Sequence, residues 1–235
     1  MPLLILAGGF GTRLRSAVSD VPKPLAPVGN NPFLRYLIDQ WIAQGVRNMI
    51  FLLHHQAALI ENYLAAEKAG GLLNGCEIRT VIEEQPLGTG GSVAYAAGRC
   101  ELKSSFLVVN ADTWLGSGIH RMCDASSPSL AVVHVDNSER YGSVQVDKNM
   151  VLSFREKQQT AGAGWINAGL YHLHAELFRS WDGKPFSLER ELFTNLAAES
   201  RLHAVSLETQ FIDIGIPEDY YRFRRWIESG KEGVL

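Results

Sequence analysis

The sequence lacks the features that define several large classes of protein. No apolar run in its 235 residues approaches the roughly 18 residues of a membrane span. Its three cysteines, Cys76, Cys100 and Cys123, lack the paired spacing of a zinc site or a disulfide framework. The 22 basic and 25 acidic residues give a net charge of −3, without the basic excess that duplex nucleic acid requires. We therefore expect reduced cysteines and no nucleic-acid or membrane partner, while small anionic ligands remain possible.

The first residues also lack the marks of a secretory leader. Residues 1 to 8 contain neither a basic segment nor a long apolar core. We expect a cytoplasmic protein, either a monomer or a homodimer. At roughly 150 residues per domain, the length allows one large domain or two small ones. The absence of a linker or repeat favours a single domain over residues 1–235.

Short apolar runs alternate with helical patterns in the first half of the chain. We predict strands at 3–6, 49–53, 78–82 and 106–109, and helices at 32–44, 56–69 and 90–99. After about residue 128 strands follow one another, at 129–135, 143–146, 151–154 and 165–172, before helices at 188–199 and 218–228. Buried strands alternating with helices indicate βαβ units. The predicted fold is α/β, with a Rossmann-like open, mostly parallel mixed sheet flanked by helices.

Distinctive residues follow each of the first four predicted strands. They are Ala7-Gly8-Gly9, His54-His55, Glu83 to Pro86, and Asn110-Ala111-Asp112. Ligands of open parallel sheets bind beyond the carboxyl ends of the strands, so we expect these segments to meet at one edge. Adjacent residues on a strand point to opposite faces, which argues against a zinc site at the two histidines.

The strongest local signal is the glycine-rich stretch Leu6–Leu14. Its glycines allow close approach of the backbone to phosphate oxygens. The dinucleotide fingerprint fails because Leu14 stands where its third glycine belongs, and the Walker pattern is absent. Instead Arg13 follows the loop and Lys23 lies between two prolines, supplying a planar fork and a point charge for phosphate.

These motifs together resemble those of the sugar-1-phosphate nucleotidylyltransferases. The resemblance extends in order along nearly the whole chain, through 6–14, 22–28, 83–91, 110–113, 154–157, 165–169 and 211–215. The segments at 22–28 and 86–91 are most similar to those of D-glycero-D-manno-heptose 1-phosphate guanylyltransferases.

The resemblance implies that a sugar 1-phosphate oxygen attacks the α-phosphorus of a nucleoside triphosphate, releasing pyrophosphate. It implies GTP and a heptose 1-phosphate as substrates and Mg²⁺ as cofactor. Residues 1–128 would form mainly the nucleotide-binding half and 129–235 mainly the sugar-binding half. Other guanylyl-, uridylyl- or thymidylyltransferases acting on mannose or glucose 1-phosphate remain alternatives. A non-catalytic nucleotide-sugar sensor is another, although the full set of charged residues favours catalysis.

The family's functional residues can be carried over position by position. The implied catalytic residues are Arg13, Lys23, Asp112 and Lys157. The implied nucleotide-binding residues are Leu6, Ala7, Gly8, Gly9, Gly11, Thr12, Arg13, Lys23, Gln85, Pro86, Gly88, Thr89 and Asp112. The implied sugar-binding residues are Tyr141, Gly142, Glu156, Lys157, Asn167 and Gly169. The implied metal ligands are Asp112 and Asp213.

Individual roles follow from the same resemblance. Arg13 would grip the departing β,γ-phosphates, Lys23 the α-phosphate, and Lys157 the phosphate of the sugar. On spacing alone, Asp112 could instead cap a turn, and Tyr141 could be a packed aromatic side chain. The whole interpretation requires residues 13, 23, 112, 157 and 213 to gather around one hollow.

Overall fold

The computed structural model describes residues 1–18, 20–139, 141–155 and 162–230. Within them the strands are β1 (Leu3–Leu6), β2 (Pro27–Val28), β3 (Asn31–Pro32), β4 (Asn48–Leu53), β5 (Glu77–Ile82), β6 (Ser105–Asn110), β7 (Thr113–Leu115), β8 (Ser129–Val135), β9 (Ser143–Asp147), β10 (Met150–Arg155), β11 (Gly164–His174), β12 (His203–Ser206) and β13 (Phe211–Asp213). The helices are α1 (Phe33–Ala43), α2 (Ala57–Ala69), α3 (Gly88–Arg99), α4 (Ile119–Asp124), α5 (Thr194–Ala198) and α6 (Pro217–Glu228). Short 3₁₀ turns lie at Thr12–Leu14, Lys23–Leu25 and Ala175–Phe178, and a π-helical segment, Leu188–Phe193, leads into α5.

One nine-stranded sheet runs through both halves of the chain, in the order β5-β4-β1-β6-β11-β8-β12-β10-β9. Its first four strands are parallel to one another. The strands β1, β4 and β6 are nearly continuous apolar runs because both of their faces are covered. The chain moves from β1 outward to β4 and β5 and then returns to β6 on the other side of β1. The gap between the ends of β1 and β6 is therefore the topological switch point, where such sheets bind ligands.

The other half of the sheet is mixed. Strand β11 is antiparallel to β6 and to β8, β12 is parallel to β8, and β10 is antiparallel to β12 and β9. The predicted α/β class, with an open mixed sheet flanked by helices, is confirmed. The strand β12 and the helix α4 were not predicted, because each is short and its residues lack a clear apolar period.

A separate two-stranded ribbon links distant parts of the chain. Strands β7 and β13 are antiparallel, with Asp213 opposite Thr113. The Ile214 amide donates to the Asp112 carbonyl at 2.9 Å. The ribbon thus carries Asp213 from the end of the chain to the position beside Asp112.

Helices cover both faces of the sheet and enclose two apolar clusters. The cluster on one face includes Phe33 of α1, Phe51 of β4, Ile60 of α2 and Phe223 of α6, which are all fully buried. The cluster on the other includes Phe106 and Phe193, beneath α3 and α5. Burying such a side chain contributes roughly 1.5–3 kcal/mol, so both clusters hold the strand ends firmly in place. Among the described residues, none of the helices combines the length and apolar character that crossing a membrane requires.

Candidate active site

A cavity of about 350 Å³ opens at the carboxyl ends of the parallel strands, over the switch point. It is lined by the segments that follow these strands and by parts of α3. Its lining residues are Leu6, Ala7, Gly8, Gly9, Phe10, Gly11, Lys23, Pro24, His54, Glu83, Pro86, Leu87, Gly88, Thr89, Ser92, Asn110, Ala111, Asp112 and Glu189. We call it the first cavity.

Glycine is required in its floor for two reasons. A Cβ on Gly8 would stand 3.0 Å from the backbone nitrogen of His54, so a side chain there would require the facing loop to move by a few tenths of an ångström. Gly11 adopts φ +61°, in the left-handed region that favours glycine. Both features leave the backbone of the loop open to the cavity.

The roof is formed by the turn that begins α3 and by a segment crossing over it. A Cβ on Gly90 would overlap the ring of Phe186, and the Gly90 amide donates to the Phe186 carbonyl at 2.9 Å. The buried carboxylate of Glu83 accepts hydrogen bonds from the Leu87 amide, at 3.0 Å, and from the Ser92 hydroxyl. The glycines of this turn therefore allow the crossing segment to pack directly on the helix.

Asp112 lies in the first cavity with a cation against it. Lys23 Nζ is 2.7 Å from Asp112 Oδ2, and the two side chains are 12% and 27% exposed. Burial acts to raise the pKa of Asp112, but the charge and the hydrogen bond of Lys23 outweigh it and the pKa is lowered. Asp112 is consequently ionised at neutral pH.

Asp213 is in the opposite electrostatic situation. Burial and the neighbouring charge of Asp112 raise its pKa to about 7, although Lys23 and Arg13 act against the shift. Its Oδ1 accepts the Gly215 amide at 2.6 Å. A Cβ on Gly215 would stand 3.5 Å from Arg13 Nη2, so the guanidinium group also lies at this corner. The structure therefore brings residues 13, 23, 112 and 213 together.

The pair of aspartates suits a divalent cation of the magnesium type. In the described part of the chain, no group of three or more His, Cys, Asp or Glu side chains has metal-binding geometry. Mg²⁺ needs fewer, since it usually takes one or two carboxylates and completes its shell with phosphate oxygens and water. Asp213, whose pKa is raised by the charge of Asp112, is the kind of carboxylate that a cation would stabilise in its ionised form.

A second cavity, of about 670 Å³, adjoins the first. It is lined by residues from both halves of the chain, namely Arg13, Thr89, Asn110, Thr113, Tyr141, Gly142, Phe154, Asn167, Gly169, Ser187, Glu189, Arg190, Thr194, Phe211 and Asp213. Thr89, Asn110 and Glu189 line both cavities. The two cavities therefore meet, with Asp112 in the wall of the first and Asp213 in the wall of the second.

Most of the predicted site residues line one of these cavities. The first cavity holds all the predicted nucleotide-binding residues except Thr12, Arg13 and Gln85. Gln85 is exposed after β5, and Arg13 lines the second cavity. The predicted sugar-binding residues Tyr141, Gly142, Asn167 and Gly169 line the second cavity. Glu156 and Lys157 lie outside the described residues.

The prediction that His54 and His55 point to opposite faces treated both as residues of a strand. Both follow the last residue of β4, where the alternation of an extended strand no longer applies. Their ring centroids lie 5.7 and 5.2 Å from that of Phe10, and His54 lines the first cavity. The two histidines therefore share one aromatic cluster.

Sequence reasoning also missed residues that the structure places in the cavities. From the sequence alone, Glu83 is placed only among the residues that follow a strand. Its position directly after β5 could have indicated that its carboxylate accepts hydrogen bonds from the next turn. Glu189 lies in a helical segment about 100 residues from the nearest glycine motif. No local pattern distinguishes it from an exposed helix carboxylate.

An open α/β sheet with a cavity at its switch point, joined to a second cavity across two carboxylates, is typical of an enzyme that brings a nucleotide to a second substrate. The chain belongs to the nucleotidyl transferase family, whose model matches residues 3–230. It is a nucleotidyltransferase, as the motifs predicted.

Comparison with individual proteins gives the same result along nearly the whole chain. The D-glycero-alpha-D-manno-heptose 1-phosphate guanylyltransferase of Campylobacter jejuni is 34% identical over 226 residues, covering 95% of this chain and 98% of that protein. The enzyme of the same name from Aneurinibacillus thermoaerophilus is 32% identical, covering 97% and 99%. The crystal structure of HddC from Yersinia pseudotuberculosis matches with a TM-score of 0.84 and 33% identity, covering 96% and 99%. The predicted family is confirmed.

Proposed function

We propose that this enzyme transfers GMP from GTP to D-glycero-α-D-manno-heptose 1-phosphate, forming GDP-heptose and pyrophosphate. The two heptose 1-phosphate guanylyltransferases that resemble it over their full length support this substrate pair. A crystal structure of HddC complexed with GMP-PN, 32% identical to this chain, supports a guanine nucleotide.

The observation that carries the proposal is the junction of the two cavities. Lys23 and Asp112 line the first, and Arg13 and Asp213 line the second. Two polyanions can approach each other only where positive charge offsets their repulsion. Lys23 and Arg13 supply positive charge at this junction, and the two carboxylates can hold a divalent cation that adds to it.

The reaction is a displacement at phosphorus, in which positioning and charge neutralisation do most of the work. We assign the nucleotide to the first cavity, with its phosphates along the loop that ends at Gly11. Lys23 would neutralise the α-phosphate, and Arg13 the departing β,γ-phosphates. The sugar 1-phosphate would occupy the second cavity, with an oxygen of its phosphate directed at the α-phosphorus.

Magnesium is the cofactor that we propose, held by Asp112 and Asp213. When bound, it would withdraw negative charge from the phosphates. Ion pairing with Lys23 keeps Asp112 ionised and ready to bind a cation. Asp213 needs the cation, or a pH above about 7, to lose its proton.

The remaining assignments concern the protein as a whole. We propose a single domain over 1–235, in which 1–128 serve mainly the nucleotide and 129–235 mainly the sugar. The first cavity, formed from residues 6–112 and Glu189, supports this division. A cytoplasmic location, where GTP is available, and a monomeric or homodimeric state complete the proposal.

The test is a matrix of pyrophosphate-release assays. GTP, UTP, dTTP, CTP and ATP are each combined with heptose, mannose and glucose 1-phosphates in the presence of Mg²⁺. We expect the highest kcat/KM for GTP with the heptose. A higher value for another combination would contradict the substrate assignment, and no release from any combination would favour a non-catalytic sensor.

Mannose 1-phosphate is the second candidate for the sugar. The mannose-1-phosphate guanylyltransferase of Mycobacterium tuberculosis is 32% identical over 93% of this chain, but the match covers only 62% of that protein. The heptose enzymes match over almost their full length, which favours the heptose. The matrix decides between the two sugars directly.

A further inference from the structure

Glu189 occupies the boundary between the two cavities. It lines both of them, as do Thr89 and Asn110, and it is the charged member of these three. It lies in the π-helical segment before α5, where the sequence motifs assigned no function. Its position raises the question of which substrate it faces.

Three hydroxyl groups hold its carboxylate in place. Oε2 accepts from Thr89 Oγ1 at 2.8 Å and from Ser187 Oγ at 2.9 Å. Oε1 accepts from the Tyr171 hydroxyl at 3.3 Å. That hydroxyl, which is fully buried, accepts in turn from Asn167 Nδ2 at 2.8 Å. The side chain of Glu189 is therefore fixed from both cavity walls.

The backbone around Glu189 is anchored to the roof of the first cavity. The Phe186 amide donates to the Leu87 carbonyl at 3.0 Å, and the Leu188 amide donates to Thr89 Oγ1 at 2.9 Å. These bonds join the segment 186–189 to the start of α3. A carboxylate mounted on such a support is pre-organised, which reduces the entropy lost when a ligand binds.

The two carboxylate oxygens of Glu189 differ in how many further hydrogen bonds they can accept. A carboxylate has about four acceptor positions, two on each oxygen. Of the three hydroxyl bonds, two fall on Oε2 and the longest falls on Oε1. Oε1 is therefore the oxygen better able to accept a further hydrogen bond from a ligand.

We propose that Glu189 accepts a hydrogen bond from a hydroxyl group of the sugar 1-phosphate and so contributes to the choice of sugar. The inference rests on the proposed function, since it assumes a sugar phosphate in the second cavity. A carboxylate repels the phosphates of both substrates, whereas a hydroxyl group is a neutral donor that it binds well. Glu189 thus selects the hydroxyl-rich part of the sugar 1-phosphate rather than its phosphate.

The first test is equilibrium binding to Glu189→Gln, which keeps the size of the side chain and removes its charge. Glu199→Gln is the matched control, because Glu199 is an exposed carboxylate paired with Arg201 at 2.7 Å. We expect Glu189→Gln to weaken the binding of heptose 1-phosphate about 10- to 100-fold, the range for a hydrogen bond to a charged group. Binding of GTP should change less than about threefold, and Glu199→Gln should change neither.

A second variant separates recognition of the sugar from support of the fold. Glu191→Gln removes the charge of a carboxylate in the same helical segment, which accepts the Ser187 amide at 2.9 Å and lines neither cavity. We expect it to bind the sugar within about threefold of the unmodified protein. Equal weakening by Glu189→Gln and Glu191→Gln, or equal loss of GTP and sugar binding, would overturn the proposal.

Monodeoxy sugar 1-phosphates identify the contact itself. The analogue that lacks the hydroxyl bound by Glu189 should bind the unmodified protein about 10- to 100-fold more weakly than the parent sugar does. On Glu189→Gln, this analogue and the parent sugar should bind with equal affinity. If the loss from the substitution and the loss from the missing hydroxyl multiply for every analogue, the proposed contact of Glu189 with a sugar hydroxyl is refuted. If mannose 1-phosphate proves to be the preferred sugar, the substrate assignment fails, and the same comparison with mannose analogues still tests Glu189.

Discussion

The first and second cavities contain the same pair of chemical groups, a carboxylate and a cation, in different surroundings. The first is built from loops that follow parallel strands, and Asp112 there contacts Lys23 at 2.7 Å. The second is built from antiparallel strands and the β7–β13 ribbon, and Asp213 there accepts a backbone amide. Burial acts on both, yet the pKa falls at Asp112 and rises to about 7 at Asp213.

The difference shows that the partner of a buried carboxylate decides its charge. Direct contact with an ammonium group outweighs the cost of removing Asp112 from water. At Asp213 the charges of Lys23 and Arg13 do not outweigh the cost of burial, and the charge of Asp112 adds to that cost. Asp112 is therefore ionised and able to bind a cation at neutral pH. At Asp213 a bound cation would favour the ionised form of the carboxyl group.

Removing the cation of the first cavity should have the largest effect. Lys23→Met should lower kcat about 100- to 1,000-fold, because the α-phosphate loses its positive partner and Asp112 loses the charge that keeps its pKa low. The measurement is steady-state pyrophosphate release at saturating substrates. Lys103→Met, at an exposed lysine outside both cavities, is the control. Activity within tenfold of the unmodified enzyme would contradict the role of Lys23.

The roof of the first cavity can be tested with two glycines of one helix. Gly90→Ala should destabilise the protein by about 1–3 kcal/mol, since its Cβ would overlap the Phe186 ring. Gly98→Ala, in the same helix with nothing within 4 Å of its Cβ, should stabilise it by up to about 1 kcal/mol. Urea unfolding measures both. Equal effects of the two substitutions would show that Phe186 does not pack on the turn as described.

The raised pKa of Asp213 in the second cavity should be detectable in the pH dependence of the free energy of unfolding. The folded pKa of Asp213, about 7, lies above its ordinary value of 3.8, so between these values the native state holds a proton that the unfolded chain has lost. The metal-free protein should therefore become less stable as the pH rises from 5 to 8. The contribution of Asp213 to this loss should be on the order of 1 kcal/mol, after allowance for the partial exposure of its side chain.

Asp213→Asn isolates that contribution. The variant should show a flatter change in unfolding free energy between pH 5 and 8, measured with a chelator present. Asp112 does not interfere, because its lowered pKa affects stability only below about pH 4. The same slope in both proteins would mean that the pKa of Asp213 is not raised.

The sequence predicted the first cavity more completely than the second. Strands β1, β4 and β6 are apolar runs, and the glycines at 8, 9 and 11 follow the first of them directly. These are local signals, and the rule for open sheets then brings the strand ends together. The rule places Asp112, which follows β6, at this edge, and the family resemblance implies that Lys23 lies in the same hollow; their direct contact was not predicted.

The second cavity depends on contacts that no local signal carries. Glu189 reaches the site because Phe186 packs on glycines nearly 100 residues earlier in the chain. The three-residue strands β7 and β13, which bring Asp213 to Asp112, are too short to show a period of their own. Strand β4 ends at Leu53, so the alternation of a strand does not determine where His54 and His55 point.

We infer that Asp112 and Asp213, which lie at the same end of the β7–β13 ribbon, act as one site at which the two substrates react. Pyrophosphate release by Asp112→Asn, Asp213→Asn and the double variant tests this most directly, because residues that act as a unit are not additive. We expect each single variant to lose most of its activity at saturating Mg²⁺ and the double variant to be hardly worse. Losses that multiply in the double variant, or near-normal kcat in either single variant, would contradict it.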